Sequence, residues 1–249
     1  MPAETPTIVA TSIGFPSRQR GSQDLRAGPI YRFAADLARP RRTPRLCLIP
    51  TASGDAAENL VTAYTALAHT ELHVSHLTLF PMPNIPDIRA HLLSQDVIWA
   101  GGGSVVNLLA VWRAHGLDQI LHECWQAGVV IGGVSAGSLC WHIGGTTDSF
   151  GLQLQPVTNA LGWLPYANGV HYDSELQRRP LLQKLIAEGS LPTGYATDDG
   201  AALIYRGTEM TEAVSDTPGK FAYLVERKSD GQVSETRITP RLLTRDQVF

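Results

Sequence analysis

Short apolar runs alternate with stretches of helical periodicity through the first half of the chain. Residues 7–13 (TIVATSI), 46–49, 97–100 and 129–131 are almost unbroken apolar or β-branched runs, which predicts strands buried on both faces. Residues 72–79 read as a further strand. Helical spacing predicts helices over 30–37, from about 54 to 68, over 105–114 and over 117–127. A Gly/Ser/Arg-rich stretch after the first strand and the three-proline stretch 81–87 read as loops. Strand 129–131 ends in Gly132-Gly133 and leads through Ser135 into a helix, which is expected to run on past His142.

Strand–helix alternation of this kind predicts an α/β fold with a mostly parallel sheet covered on both faces. After His171 the pattern changes. A helix over 180–187 precedes five short runs, 194–197, 201–205, 209–214, 221–226 and 234–238, which read as antiparallel strands finishing the same sheet. No repeat, low-complexity tract or linker interrupts the 249 residues, so residues 1–249 read as a single domain.

Composition narrows the class. Hydrophobic residues make up 43% of the chain and charged residues 17%, enough apolar side chains for a full core. A net charge of −3 gives no reason to expect nucleic acid as a partner. The basic stretch 39–45 (RPRRTPR) reads as a solvated loop. No apolar run reaches the roughly 20 residues of a membrane span, and the N-terminus lacks the pattern of a secretory signal. Cys47, Cys124 and Cys140 are widely spaced among apolar neighbours, as expected of buried, reduced thiols in a cytoplasmic protein. No ligand spacing implies a metal, and no cofactor motif is present.

The segment Gly133-Val134-Ser135-Ala136-Gly137 matches Gly-x-Ser-x-Gly. In that pattern a strand turns sharply into a helix and exposes a serine at the apex, with glycines on either side permitting close backbone approach. Ser135 is therefore the candidate nucleophile. The Ala136 amide at the helix start is a candidate oxyanion donor, with Gly102 or Gly103 of the neighbouring triple glycine as the second. A serine hydroxyl needs a general base. His171, in a polar stretch after Pro165, is the candidate. His142 follows the elbow too closely to face it. Asp148, Asp198 and Asp199 are the candidate orienting acids, and the residues alone leave that choice open.

Taken together, Gly101-Gly102-Gly103, Gly133-Val134-Ser135-Ala136-Gly137-Ser138, Thr146-Thr147-Asp148, Gly162-Trp163-Leu164-Pro165, His171-Tyr172-Asp173-Ser174-Glu175 and the segment from Ala196 through Asp198-Asp199-Gly200 resemble the peptidase E family. That family includes aspartyl dipeptidases and cyanophycinases, and the likeness extends over about residues 7–205. It implies a class I glutamine amidotransferase-like (flavodoxin-like) three-layer α/β sandwich with antiparallel C-terminal strands. It also implies a serine peptidase acting on short peptides through an acyl-enzyme, a dipeptidase preferring N-terminal Asp or another acidic feature, with Ser135 as nucleophile and His171 as base. Asp148 matches the acid proposed for the dipeptidases. Asp199, beside Asp198, matches the acid of cyanophycinase-like members and is favoured because a strand end is rigid. Ser104 stands where dipeptidases carry Asn or Asp, which weakens the transfer of strict N-terminal aspartate specificity. Arg178 and Arg179 are candidates for holding a substrate carboxylate. Expected partners are a short peptide and a second copy of the chain as a homodimer, with neither nucleic acid nor membrane.

Two rival readings share parts of this pattern. An α/β-hydrolase esterase also carries Gly-x-Ser-x-Gly, but its histidine comes last in the chain, and no histidine follows His171. A non-catalytic binding module would have no use for Ser135 and His171.

Overall fold

The computed structural model describes residues 3–15 and 26–244. The expected Gly/Ser/Arg-rich loop falls on residues 16–25, outside that range. In chain order the elements are β1 (Thr7–Thr11), α1 (Pro29–Leu37), β2 (Arg45–Ile49), α2 (Ala57–Leu67), β3 (His73–His76), α3 (Ile88–Leu93), β4 (Val97–Ala100), α4 (Val105–Ala114), α5 (Leu117–Gln126), β5 (Val130–Val134) and α6 (Ala136–Leu139). They continue with β6 (His142–Thr147), β7 (Gln155–Val157), β8 (Leu164–Gly169), α7 (Arg178–Ala187), β9 (Gly194–Thr197), β10 (Ala201–Arg206), β11 (Glu209–Ser215), β12 (Ala222–Arg227), β13 (Val233–Ile238) and β14 (Arg241–Leu242).

The larger sheet runs β14-β11-β10-β1-β5-β4-β2-β3. Its half from β1 to β3 is parallel, and β10 joins β1 antiparallel. The two faces sort by the period-2 alternation of each strand. Ile8, Ala10, Ile98, Ala100 and Ile131 face one way and pack under α4 and α5 with Leu108, Trp112 and Leu121. Val9, Val97, Trp99 and Val130 face the other way, onto Ile30 and Tyr31 of α1 and Ala66 and Leu67 of α2. This is the doubly wound α/β arrangement expected from the apolar runs. Among the described residues no helix is long and apolar enough to cross a membrane.

The second half departs from expectation. The late strands do not all finish one sheet. β10 and β11 do, but β9, β12 and β13 join β6, β7 and β8 in a second sheet of order β13-β12-β9-β8-β6-β7. Within it β6, β8 and β9 are parallel, and α7 is the crossover from β8 to β9. Leu182, Leu185 and Ile186 of α7 bury against Ala167, Ala196 and Val225 of this sheet. Its other face meets the larger core, where Leu164, Val157 and Ala222 join the α4–α5 side. The helix after Ser135 is also shorter than expected. It ends at Leu139, and His142 opens β6. Gly132 and Gly133 lie inside β5 rather than after it.

Candidate functional site

Ser135 sits between the end of β5 and the start of α6 with φ 57° and ψ −113°. A side chain rarely tolerates positive φ, and such strain persists only where the surroundings over-determine it. The flanking glycines show what holds it. A Cβ on Gly133 would lie 2.2 Å from the Gly137 carbonyl oxygen, and one on Gly137 would lie 2.3 Å from that of Ala100. No other residue type allows the chain to fold back so tightly. The Ser135 amide donates to the Thr11 carbonyl at 3.1 Å, which pins the elbow to the carboxyl end of β1.

His171 also has positive φ, 53°. It lies in the irregular segment between β8 and α7, two residues beyond the strand end. Its amide donates to Ser12 Oγ at 3.0 Å. Ser12 Oγ in turn meets Thr197 Oγ1 at 2.8 Å, and the Ser12 carbonyl accepts from the Gly200 amide. Thr11 and Ser12 thus tether the serine elbow of one sheet to the histidine and aspartate of the other. These two polar residues closing an apolar run were the signal that sequence reasoning passed over.

The three candidate acids separate by their contacts. Gly169 of β8 pairs with Ala196 of β9, so the residues just beyond the two strands, His171 and Asp199, are brought side by side. His171 Nδ1 lies 2.5 Å from Asp199 Oδ1. That contact holds the Asp199 carboxyl below its ordinary value, against the opposing effect of partial burial. Asp198, one residue earlier, turns the opposite way. It is buried, accepts from the Phe221 amide and the Tyr223 hydroxyl, and burial raises its carboxyl. Asp148 follows β6 and lies 3.8 Å from the Arg178 guanidinium. Asp173, two residues beyond His171, adds a support. Its carboxylate accepts from the Asp199 amide at 2.9 Å and pairs with Lys220 at 2.5 Å.

Arg178, Arg179 and Ser104, expected at the substrate, have partners within the fold. Arg178 is buried. It donates to the Thr146 carbonyl and pairs with Glu175, so its guanidinium stitches α7 to the end of β6. Arg179 pairs with Glu235 and lies over the rings of Tyr172 and Tyr223. Ser104 caps α4, its Oγ accepting from the Asn107 amide at 3.2 Å. Each of the three is thus engaged within the fold. Arg178→Met is expected to lower stability by about 2–4 kcal/mol, the cost of a buried carbonyl and carboxylate left without their donor, and to leave kcat/KM of the folded enzyme nearly unchanged. Urea titration beside steady-state kinetics checks this. A raised KM with unchanged stability would return Arg178 to the substrate.

The candidate oxyanion donors lie as the glycines require. Gly101 and Ser104 spend their amides on the Ile49 and Ala52 carbonyls. Gly102 sits against Ser135, where a Cβ would lie 3.3 Å from Ser135 Cβ. Gly103, at φ 134°, leaves no room for a side chain beside the Ala52 carbonyl. The Ala136 amide opens α6 and so has no carbonyl of its own helix to serve.

Beneath the elbow, His142 is fully buried. Its Nδ1 lies 3.0 Å from the Ser138 carbonyl and its Nε2 3.2 Å from the Tyr205 hydroxyl. A carbonyl only accepts, so Nδ1 carries the proton and Nε2 accepts from Tyr205. Burial lowers its pKa to about 4. The unfolded chain therefore binds a proton between the ordinary value of about 6.5 and about 4 while the native state does not. The stability this neutral ring preserves is complete above pH 6.5 and lost as pH falls toward 4, by about 3 kcal/mol in total. Denaturant midpoints measured across that window should fall more steeply in the wild type than in His142→Gln. Equal slopes would refute the assignment. The three cysteines are buried, and desolvation pushes the Cys47 and Cys124 thiols up to about 12 and Cys140 upward as well. Cys140 is a packing residue and no substitute for the elbow serine.

A doubly wound sheet with a strained serine at its elbow and a paired histidine and aspartate beyond the neighbouring strands defines an α/β enzyme of the nucleophile-elbow class. The model of peptidase family S51 matches residues 28–213. The chain belongs to that family and is a serine-type peptidase. It is 43% identical over 187 residues to the uncharacterized peptidase YgaJ of Bacillus subtilis strain 168, a match covering 74% of this chain and 79% of the relative. It is 26% identical over 196 residues to peptidase E of Shewanella denitrificans, covering 73% and 80%. Among solved structures, a peptidase from an acI-B1 actinobacterium aligns with a TM-score of 0.69 at 18% identity over 95% of both chains. A putative peptidase E from Listeria monocytogenes EGD-e aligns at 0.56 and 18%, over 94% of this chain and 98% of its own. These two share the fold.

Proposed function

We propose that the protein hydrolyses short peptides, dipeptides among them, through an acyl-enzyme on Ser135, with His171 as base and Asp199 as its orienter. The observation that carries this reading is the contact of His171 Nδ1 with Asp199 on strand ends tied through Thr11 and Ser12 to the strained serine. With Nδ1 engaged, Nε2 takes the proton from Ser135 Oγ as the oxygen attacks the scissile carbonyl. The amides of Ala136 and of Gly102 or Gly103 stabilise the oxyanion. Collapse of the tetrahedral intermediate returns the proton to the leaving amine, and water then releases the acyl group by the same route.

A preference for N-terminal aspartate draws no support from Arg178 or Arg179, whose guanidiniums are engaged elsewhere. The chain order, with histidine before acid, separates this arrangement from the esterase reading. The test is a fluorophosphonate probe followed by peptide mapping. Covalent label is expected on Ser135, slowed in His171→Ala and absent from Ser135→Ala. Equal labelling of Ser135→Ala would overturn the assignment.

A further inference from the structure

The strand order reverses between β2 and β4, with β3 beyond one and β5 beyond the other. In doubly wound sheets that position opens a crevice at the carboxyl ends of the strands. Here it holds a cleft of about 910 Å³, bounded by α2 and the ends of β2, β4 and β5. Its walls include Phe15, Pro50, Val61, Trp99 and Val134. Glu58 is the one charged residue among its described lining, and it is acidic. Val61 is an apolar side chain left 66% exposed on α2. The cleft reaches Gly102, which packs directly on Ser135. A side chain flanking a carbonyl held at Ser135 is therefore one residue's reach from an apolar chamber.

We propose that this cleft is a specificity subsite that takes a large apolar side chain, such as leucine or phenylalanine, from a residue flanking the scissile bond, and disfavours an acidic one. The inference rests on Ser135 as nucleophile and deepens the proposed function by naming its substrate class. The physical basis is desolvation. Filling the cleft with an aliphatic or aromatic group removes apolar surface from water on both partners, whereas an aspartate would enter without a cation and beside Glu58.

The experiment is a dipeptide panel carrying Leu, Phe, Ala, Lys and Asp at each flank of the scissile bond, assayed with the wild type, Val61→Asp, Val61→Arg and Ser135→Ala. Val61 is exposed, so these changes are tolerated by the fold. Wild type is expected to favour Leu or Phe over Asp at one flank by about 10- to 100-fold in kcat/KM. Val61→Asp should lose about tenfold on those substrates and little on Ala, and Val61→Arg should raise the relative rate on Asp. Cleavage by the wild type with aspartate preferred, or a Val61→Asp enzyme that lowers all substrates alike, overturns the subsite while leaving Ser135 in its role. Cleavage that survives in Ser135→Ala, or a wild type that cleaves none of the panel, overturns the underlying reading instead.

Discussion

Ser135→Ala is expected to lower kcat on a cleaved peptide by about 10⁴- to 10⁶-fold, with the protein still folded. In the proposed mechanism the residue supplies the attacking oxygen, and the Cys140 thiol cannot replace it, being buried and held protonated by desolvation. Alanine keeps the Cβ, so the positive φ of 57° costs the variant what it costs the wild type, and the melting temperature should barely move. Ser135→Gly separates the two effects. Glycine adopts that backbone freely, so this variant should be equally inactive but more stable, by about 1 kcal/mol. Progress curves under excess enzyme and thermal melts of the three proteins check both halves. Activity within tenfold of wild type in Ser135→Ala would remove the serine from the chemistry.

The second large effect is expected at Asp199. Asp199→Asn keeps size and shape but replaces a carboxylate that accepts from Nδ1 with an amide that can equally present its NH₂ group. The imidazole then loses its fixed tautomer, and a fall in kcat of about 10⁴-fold is expected. Asp148→Asn should change kcat by less than about threefold, since Asp148 faces Arg178. Asp198→Asn should act on stability, because that carboxylate caps the Phe221 amide inside the fold. The three variants assayed side by side give a clear ordering. A large loss confined to Asp148→Asn would show that the orienting acid lies on β6.

The candidate site was only half legible in the chain. Gly133 and Gly137 announced the elbow because backbone collision forbids anything larger there. The apolar runs announced the parallel half of the larger sheet, and β4 and α4 keep the limits their patterns predict. Residues 142–169 hid three strands. β6 reads HIGGTT, with two glycines and a buried histidine, and carries no apolar run to betray it. Nor does a local pattern say which sheet a strand joins, so β9 and β10, separated by a three-residue turn, read as neighbours although they diverge into different sheets. The choice between Asp198 and Asp199 depends on which carboxylate the turn after β9 aims at His171, and Asp198 is taken up by the Phe221 amide and the Tyr223 hydroxyl of another strand and its approach. Arg178 and Arg179 read as free cations because their partners, Thr146, Glu175 and Glu235, come from elements whose packing the sequence does not display.

The clasp at Thr11 and Ser12 also sets a timetable. β1 is made before either of its neighbours, yet one of the two is β10, which pairs Arg206 with Thr7. Asp199 and Gly200 arrive with that late strand. Between the emergence of Ser135 and that of Arg206 the growing chain owns a nucleophile without its finished surroundings, for roughly 4–14 s at ordinary elongation rates. A chain stopped short of β10 is therefore expected to be silent, and the first turnover waits for that strand.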